Sequence, residues 1–168
     1  MLNLRISQRN QELSLKTQEL ALKAQEQTLE TRQAQLFMGI FQTFASKEFQ
    51  TDMESMVWDW NWKDYDDYMK KYGMANVVEN GKHATVFTHY EGTGVLVKRG
   101  LINPELVYDL MYSSVIALWE KFRPLVQEWR RIYTTPYMYQ DFEFLYEEMK
   151  KIRERRGNQA FTRSPASP

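Results

Sequence analysis

The chain has 168 residues, 43% of them hydrophobic, with Lys+Arg and Asp+Glu balanced at 22 each and no cysteine. That length and apolar content suit one domain with a real core, and the charge balance provides no field to draw in nucleic acid or an anionic membrane. The absence of cysteine excludes disulfides, thiolate metal sites and cysteine nucleophiles, and fits a reducing compartment such as the cytoplasm.

No run of about 18 apolar residues offers a membrane span. The chain turns polar within a few residues of Met1, so no signal peptide is expected. Met1–Ile6 is mildly apolar and reads as an ordinary frayed terminus, or as the trailing end of something longer.

Residues 1–35 read as a polar helical arm. A seven-residue near-repeat runs through Gln11–Thr17, Gln18–Ala24 and Gln25–Thr31, and Leu15, Leu22, Leu29 and Leu36 fall one heptad apart. Leu13, Leu20 and Ala34 form a second stripe that Gln27 interrupts. Neither Pro nor Gly intervenes, and Gln, Glu, Leu, Lys and Ala are good helix formers, so a long helix is predicted. As a coiled coil the repeat is poor. With leucine at d, the a positions carry Glu12, Glu19, Glu26 and Gln33, where an apolar row belongs. A helix this polar is marginal alone and needs a partner, an assembly or the domain body to lie on.

Residues 36–156 read as a helical bundle. Phe37, Ile40, Phe41 and Phe44 recur at helical spacing, and Ser46 suggests a new start with Met53, Met56 and Val57 facing inward. The aromatic and acidic stretch Trp58–Tyr68 follows. Asp64 is expected to cap a short helix ending at Gly73, with the tryptophans packing the loop. Residues 74–81 are expected to be loop and residues 82–99 helix, with Val86, Phe87, Tyr90, Val95 and Leu96 as core contacts.

Gly92 and Gly94 are costly inside a helix by about 1 kcal/mol each relative to alanine. Their expected compensation is a close approach to Ser113, Ser114 and Ala117 of the next helix. Gly100 suits a left-handed C-terminal cap, Asn103 a side-chain cap and Pro104 the first helical position, so a helix hairpin is predicted there. The next helix, over 104–122, carries Leu106, Leu110, Val115, Leu118, Trp119 and Phe122, and Pro124 is expected to kink or restart it. A last helix from Tyr137 to about Arg155 buries Phe142, Leu145 and Met149, and its basic end suits the helix dipole. Residues 157–168 read as a disordered tail.

Little of this points to chemistry. The two histidines, His83 and His89, are six apart and fall on different helix faces. Glu79 and His83 share a face only if the helix starts early, and Gly81 argues against that. No zinc or di-iron spacing appears, so neither metal nor other cofactor is expected. Nucleophile elbow, dinucleotide loop and phosphate loop are also missing, and the basic C-terminus is weak evidence for nucleic acid. Glu91 stands out as a carboxylate among small and apolar neighbours. It is either an acid/base or ligand anchor, or an internal tie to Arg123, Arg130 or another arginine.

Tyr90–Val97, Arg99–Asn103 and Leu118–Glu120, with weaker support from Trp60–Tyr65, resemble a family of small prokaryotic helical proteins known as domain of unknown function 4760. The resemblance covers roughly residues 34–150. It implies a helical bundle and carries no catalytic residue. Similar proteins often have a transmembrane helix, then a polar helix, then the bundle, which implies a membrane-proximal position and makes Met1–Ile6 a candidate end of an anchor. Where the family has an acid in the hairpin turn, this chain has Asn103, which still caps but removes a charge.

The sequence therefore predicts an all-α bundle of five to six helices with a long protruding N-terminal helix. The predicted role is a non-enzymatic interaction or scaffold module. It would form a homo-oligomer or bind a protein partner through Leu15, Leu22, Leu29 and Leu36, at the inner face of the membrane if an anchor precedes it. The alternative is a ligand-binding or catalytic site in the bundle core around Glu91 and His89, lined by Tyr90, Trp119 and Arg123.

Overall fold

The computed structural model describes residues 2–162, with side chains over 5–157. The apolar start Met1–Ile6 lies partly outside the described residues, and residues 163–168 of the expected tail lie wholly outside them. Six α-helices and one π-helical turn are present, with no strand among the described residues: α1 (Leu2–Phe44), α2 (Lys47–Glu54), the π turn (Ser55–Asp59), α3 (Tyr65–Tyr72), α4 (Val77–Lys98), α5 (Pro104–Ile132) and α6 (Gln140–Thr162). The fold is all-α. The chain divides into two units, residues 1–36 and 37–168.

The first unit is a single stretch of α1. Leu15, Leu22 and Leu29 are 65%, 60% and 56% exposed, and Leu13 and Leu20 are equally bare. Its helicity rests on residue propensity and local pairs such as Glu19–Lys23 at 2.7 Å. Leu13 and Leu15 are two residues apart, about 200° around the axis, so the two leucine rows lie on nearly opposite faces.

The second unit holds the core. Ile40 is buried and Phe44 packs on Phe49 at 6.0 Å, while Phe41 stays largely exposed. The predicted caps form. Ser46 accepts from the Phe49 N–H at 3.2 Å, Asp64 from Asp67 at 2.9 Å and Asn103 from Glu105 at 2.9 Å. At the hairpin, Gly100 takes φ +67°, its N–H donates to Val97 and the Leu101 N–H reaches back to Leu96, each at 2.9 Å. This pair of hydrogen bonds satisfies two carbonyls that the helix end leaves free.

Several expectations are corrected. Helix α4 starts at Val77, capped by Asn76, so Gly81 lies inside it and residues 77–81 are not loop. Its buried stripe is His83, Val86, Phe87, Tyr90, Thr93/Gly94 and Val97, with Val95 and Leu96 only half-buried. Helix α5 continues through Pro124. Its non-helical residue is Met111 (φ −143°, ψ 15°), whose carbonyl accepts from Ser114 Oγ at 2.9 Å. Leu106 is 40% exposed rather than core. Trp60 stacks flat on Tyr72 at 4.1 Å as expected of a packed loop, but Trp58 is 80% exposed.

Helix α6 starts at Gln140 and runs past Arg155 to Thr162. Arg155 and Arg156 therefore do not form a last turn. They pair with Glu105, and Arg156 also with Asp109 at 2.6 Å, tying α6 to the first turns of α5.

Candidate functional site

The segment from Tyr90 to Lys98 is where α4 meets α6, the most extensively packed helix pair in the unit. Glu91, Gly94 and Lys98 share one face of α4 at helical spacing. Glu91 Oε2 accepts a hydrogen bond from the Phe142 N–H at 2.7 Å. A side chain at Gly94 would place its Cβ 2.0 Å from the Asp141 carbonyl oxygen, so only glycine admits α6 at this distance. Lys98 Nζ then bonds Asp141 Oδ1 at 2.8 Å. The first turn of α6 thus receives a carboxylate at its exposed N–H groups, where the helix dipole favours negative charge.

This geometry revises two expectations. The close approach of Gly94 is to α6, not to Ser113, Ser114 and Ala117 of α5, and a Cβ at Gly92 would touch nothing within 4 Å. Glu91 is a tie between helices, but through backbone N–H groups rather than arginine. Arg130 instead pairs with Glu143 at 2.8 Å and donates to the Met138 carbonyl, and Arg123 is exposed. Burial raises the Glu91 carboxyl above its usual range, opposed by the Phe142 and Asp141 N–H groups and by Arg130.

Of the other candidates around Glu91, Tyr90 and Trp119 lie in the core and His89 is half-buried. Tyr90 is fully buried, stacks on Phe142 at 5.0 Å and bonds Ser114 Oγ at 2.8 Å. Trp119 meets the same Phe142 ring edge-on at 5.1 Å. His89 sits 4.6 Å from the Phe49 ring, and its Nε2 has no partner. Burial lowers its pKa from 6.5 to about 4.

A cavity of about 380 Å³ lies elsewhere in the same unit. Helix α3 contributes Tyr68 and Met69, and α4 contributes Asn80, His83 and Ala84. The end of α5 adds Trp129 and Tyr133, and the turn before α6 adds Met138 and Tyr139. A helix expected only from residue 82 puts His83 at its very start and hides its place in the core. The signal that was available is the spacing His83–Phe87–Tyr90, which continues the core stripe by one turn towards the N-terminus.

His83 is 6% exposed and its Nε2 has no hydrogen-bond partner. Its ring lies 4.2 Å from that of Phe87 and 5.1 Å from that of Trp129, and this burial lowers its pKa from 6.5 to about 4. The imidazole is therefore neutral at physiological pH. Among the described residues no group of three His, Asp or Glu side chains converges as metal ligands. No described helix is long and apolar enough to cross a membrane.

Residues 16–149 match the family described as domain of unknown function DUF4760, which is most of the chain. The chain belongs to that family. The match includes the Glu91–Gly94–Lys98 seam and every cavity residue. It also includes the exposed Leu22 and Leu29, so the DUF4760 region takes in part of the polar arm as well as the bundle. No curated protein and no solved structure matches the chain.

Proposed function

We propose that this DUF4760 protein is a non-enzymatic interaction module that self-associates through the N-terminal stretch of α1. The observation that carries the reading is the bare heptad Leu15–Leu22–Leu29 on an uninterrupted helix. Covering one such leucine gains about 1 kcal/mol. One row of four leucines in each of two chains then gives roughly 8 kcal/mol, against an association cost of about 4–15 kcal/mol. A simple pair is marginal on that arithmetic. Covering the opposite row of Leu13 and Leu20 as well tips the balance, which favours an assembly in which each helix is flanked by two copies.

The glutamates at the a positions weaken such a seam, since each stands where an apolar side chain belongs. This reading places the chain in a prokaryotic cytoplasm, in keeping with its cysteine-free composition and the family resemblance, at the inner membrane face where an anchor precedes it. The test is the solution mass by light scattering of the full chain and of the full chain carrying Leu15→Gln, Leu22→Gln and Leu29→Gln. An oligomer that falls to a monomer supports the proposal. A monomeric parent chain, or an oligomer unchanged by the three substitutions, overturns it.

A further inference from the structure

The charged residues of the arm gather on one side of its helix. Arg5, Glu12, Glu19 and Glu26 form one row at heptad spacing, and Arg9, Lys16, Lys23 and Glu30 form the row beside it. Taken together they follow one another in alternate steps of four and three residues, which is the spacing of a single helix face. Helix α1 is unbroken through this stretch and all of these side chains are exposed, so the stripe is continuous. Arg32 is the one charged residue of the first unit that lies outside it.

The signs along the stripe run plus, plus, minus, plus, minus, plus, minus, minus. Read backwards, the series is the same with every sign inverted. Within one helix only the middle is balanced: Glu19 bonds Lys23 at 2.7 Å, and Glu12 precedes Lys16 by one turn. At the two ends, Arg5 stands one turn from Arg9 and Glu26 one turn from Glu30, like charges that disfavour an isolated helix. The stripe is matched throughout only by its own reverse.

We propose that its partner is the same stripe on a second copy of this chain, running antiparallel about a two-fold axis between residues 17 and 18. Arg5 then faces Glu30 of the second copy, Arg9 faces Glu26, Glu12 faces Lys23 and Lys16 faces Glu19, and the symmetry repeats each pairing. This rests on the self-association proposed above and gives it an orientation and a register. An antiparallel pair sets the same flank of each helix on the same side of the seam, so the stripes lie side by side. Leu15 falls about 3 Å along the axis from Leu22 of the second copy, which covers the leucine row as well. A parallel pair in register on that row instead sets Glu12, Glu19 and Glu26 each against its own copy.

Because the chain has no cysteine, one introduced thiol carries a single spin label. The test labels full-length Thr28→Cys and Thr17→Cys, both exposed and off the stripe, and reads label-to-label distances by pulsed electron paramagnetic resonance. In the antiparallel pair Thr28 lies level with Ser7 of the second copy, so the two labels at 28 are about 32 Å apart along the axis, whereas those at 17 are nearly level. The expected result is a population at about 30–40 Å for position 28 that is missing for position 17. The second measurement is the dissociation constant of Glu12→Lys, Glu19→Lys and Glu26→Lys combined, with its helicity checked by circular dichroism. Three of the four pairings then become repulsive, and association is expected to weaken by about tenfold or more. In a parallel pair the same change exchanges one like-charge contact for another and leaves affinity unaltered.

Short distances alone at both positions, or unchanged affinity in the helical triple variant, overturn the antiparallel pairing and leave self-association standing. A monomeric parent chain by light scattering overturns both.

Discussion

The arm and helix α4 are both long helices, and they are helical for opposite reasons. The arm is written in residues that favour helix on their own, without Gly or Pro before Gly39, and its leucines are bare. Helix α4 holds Gly81, Gly92 and Gly94 and several β-branched residues, a composition that makes a poor isolated helix. It persists because its His83-to-Val97 stripe is buried and its Glu91–Gly94–Lys98 face locks onto α6. Propensity makes the first helix, and packing makes the second.

Acid tests that contrast most severely. His83 and His89 are both held neutral by burial, with pKa near 4 against an ordinary 6.5. The unfolded chain takes up protons at these sites before the folded one does. The stability they contribute is therefore complete above about pH 6.5 and is lost as pH falls from there towards 4, at up to about 1.4 kcal/mol per pH unit for each histidine. Urea unfolding across that window is expected to show this slope, and His89→Phe to remove about half of it. A flat profile would place both rings in water.

Next in size is the glycine seam. Gly94→Ala drives a methyl into the Asp141 backbone and is expected to cost about 3 kcal/mol in urea unfolding, because neither helix backbone yields easily. Gly92→Ala, two residues away and open on all sides, is expected to stabilise by about 0.5–1 kcal/mol. If the two variants behave alike, α4 does not depend on α6 in the way described.

Glu91 gives a smaller and more discriminating effect. Glu91→Ala removes the acceptor for the Phe142 N–H and is expected to cost about 1–2 kcal/mol, as loss of a helix cap does. Because burial raises the folded-state pKa, protonation favours the folded form. The contribution of that shift is present below the ordinary value of 4.5 and is lost as pH rises through the raised one. At neutral pH, Glu91→Gln keeps an acceptor oxygen and has no charge to desolvate, so its unfolding midpoint is expected within about 0.5 kcal/mol of the parent. A Gln variant as damaged as the Ala variant would mean that the charge itself holds α6.

The arm supplies the mirror experiment. Ala21→Gly touches no packed side chain, yet is expected to cost the arm about 1 kcal/mol of helix stability, read as lost ellipticity. Helix content unchanged by that substitution would show that the arm, like α4, is held by packing.

Elements announced by local chemistry were legible in the residues: the caps at Ser46, Asp64 and Asn103, the left-handed Gly100, the heptad of the arm and the aromatic core of α5. The start of α4 was hidden because Gly81 signals a break by propensity while Asn76 caps five residues earlier. Glu91 was visible as an anomaly, but arginine was the wrong partner to expect, since a helix N-terminus arriving from 50 residues downstream leaves no mark near it in sequence.

By itself the sequence determined the all-α class, the arm and the hairpin, because caps, left-handed turns and heptads act within a few residues of where they are written. Only the tertiary structure decided that Gly94 serves α6 rather than α5, that the break in α5 falls at Met111 instead of Pro124, and that His83 lines a cavity. Each of these depends on which distant backbone or ring comes within a few ångströms, and close packing between helices sets that distance.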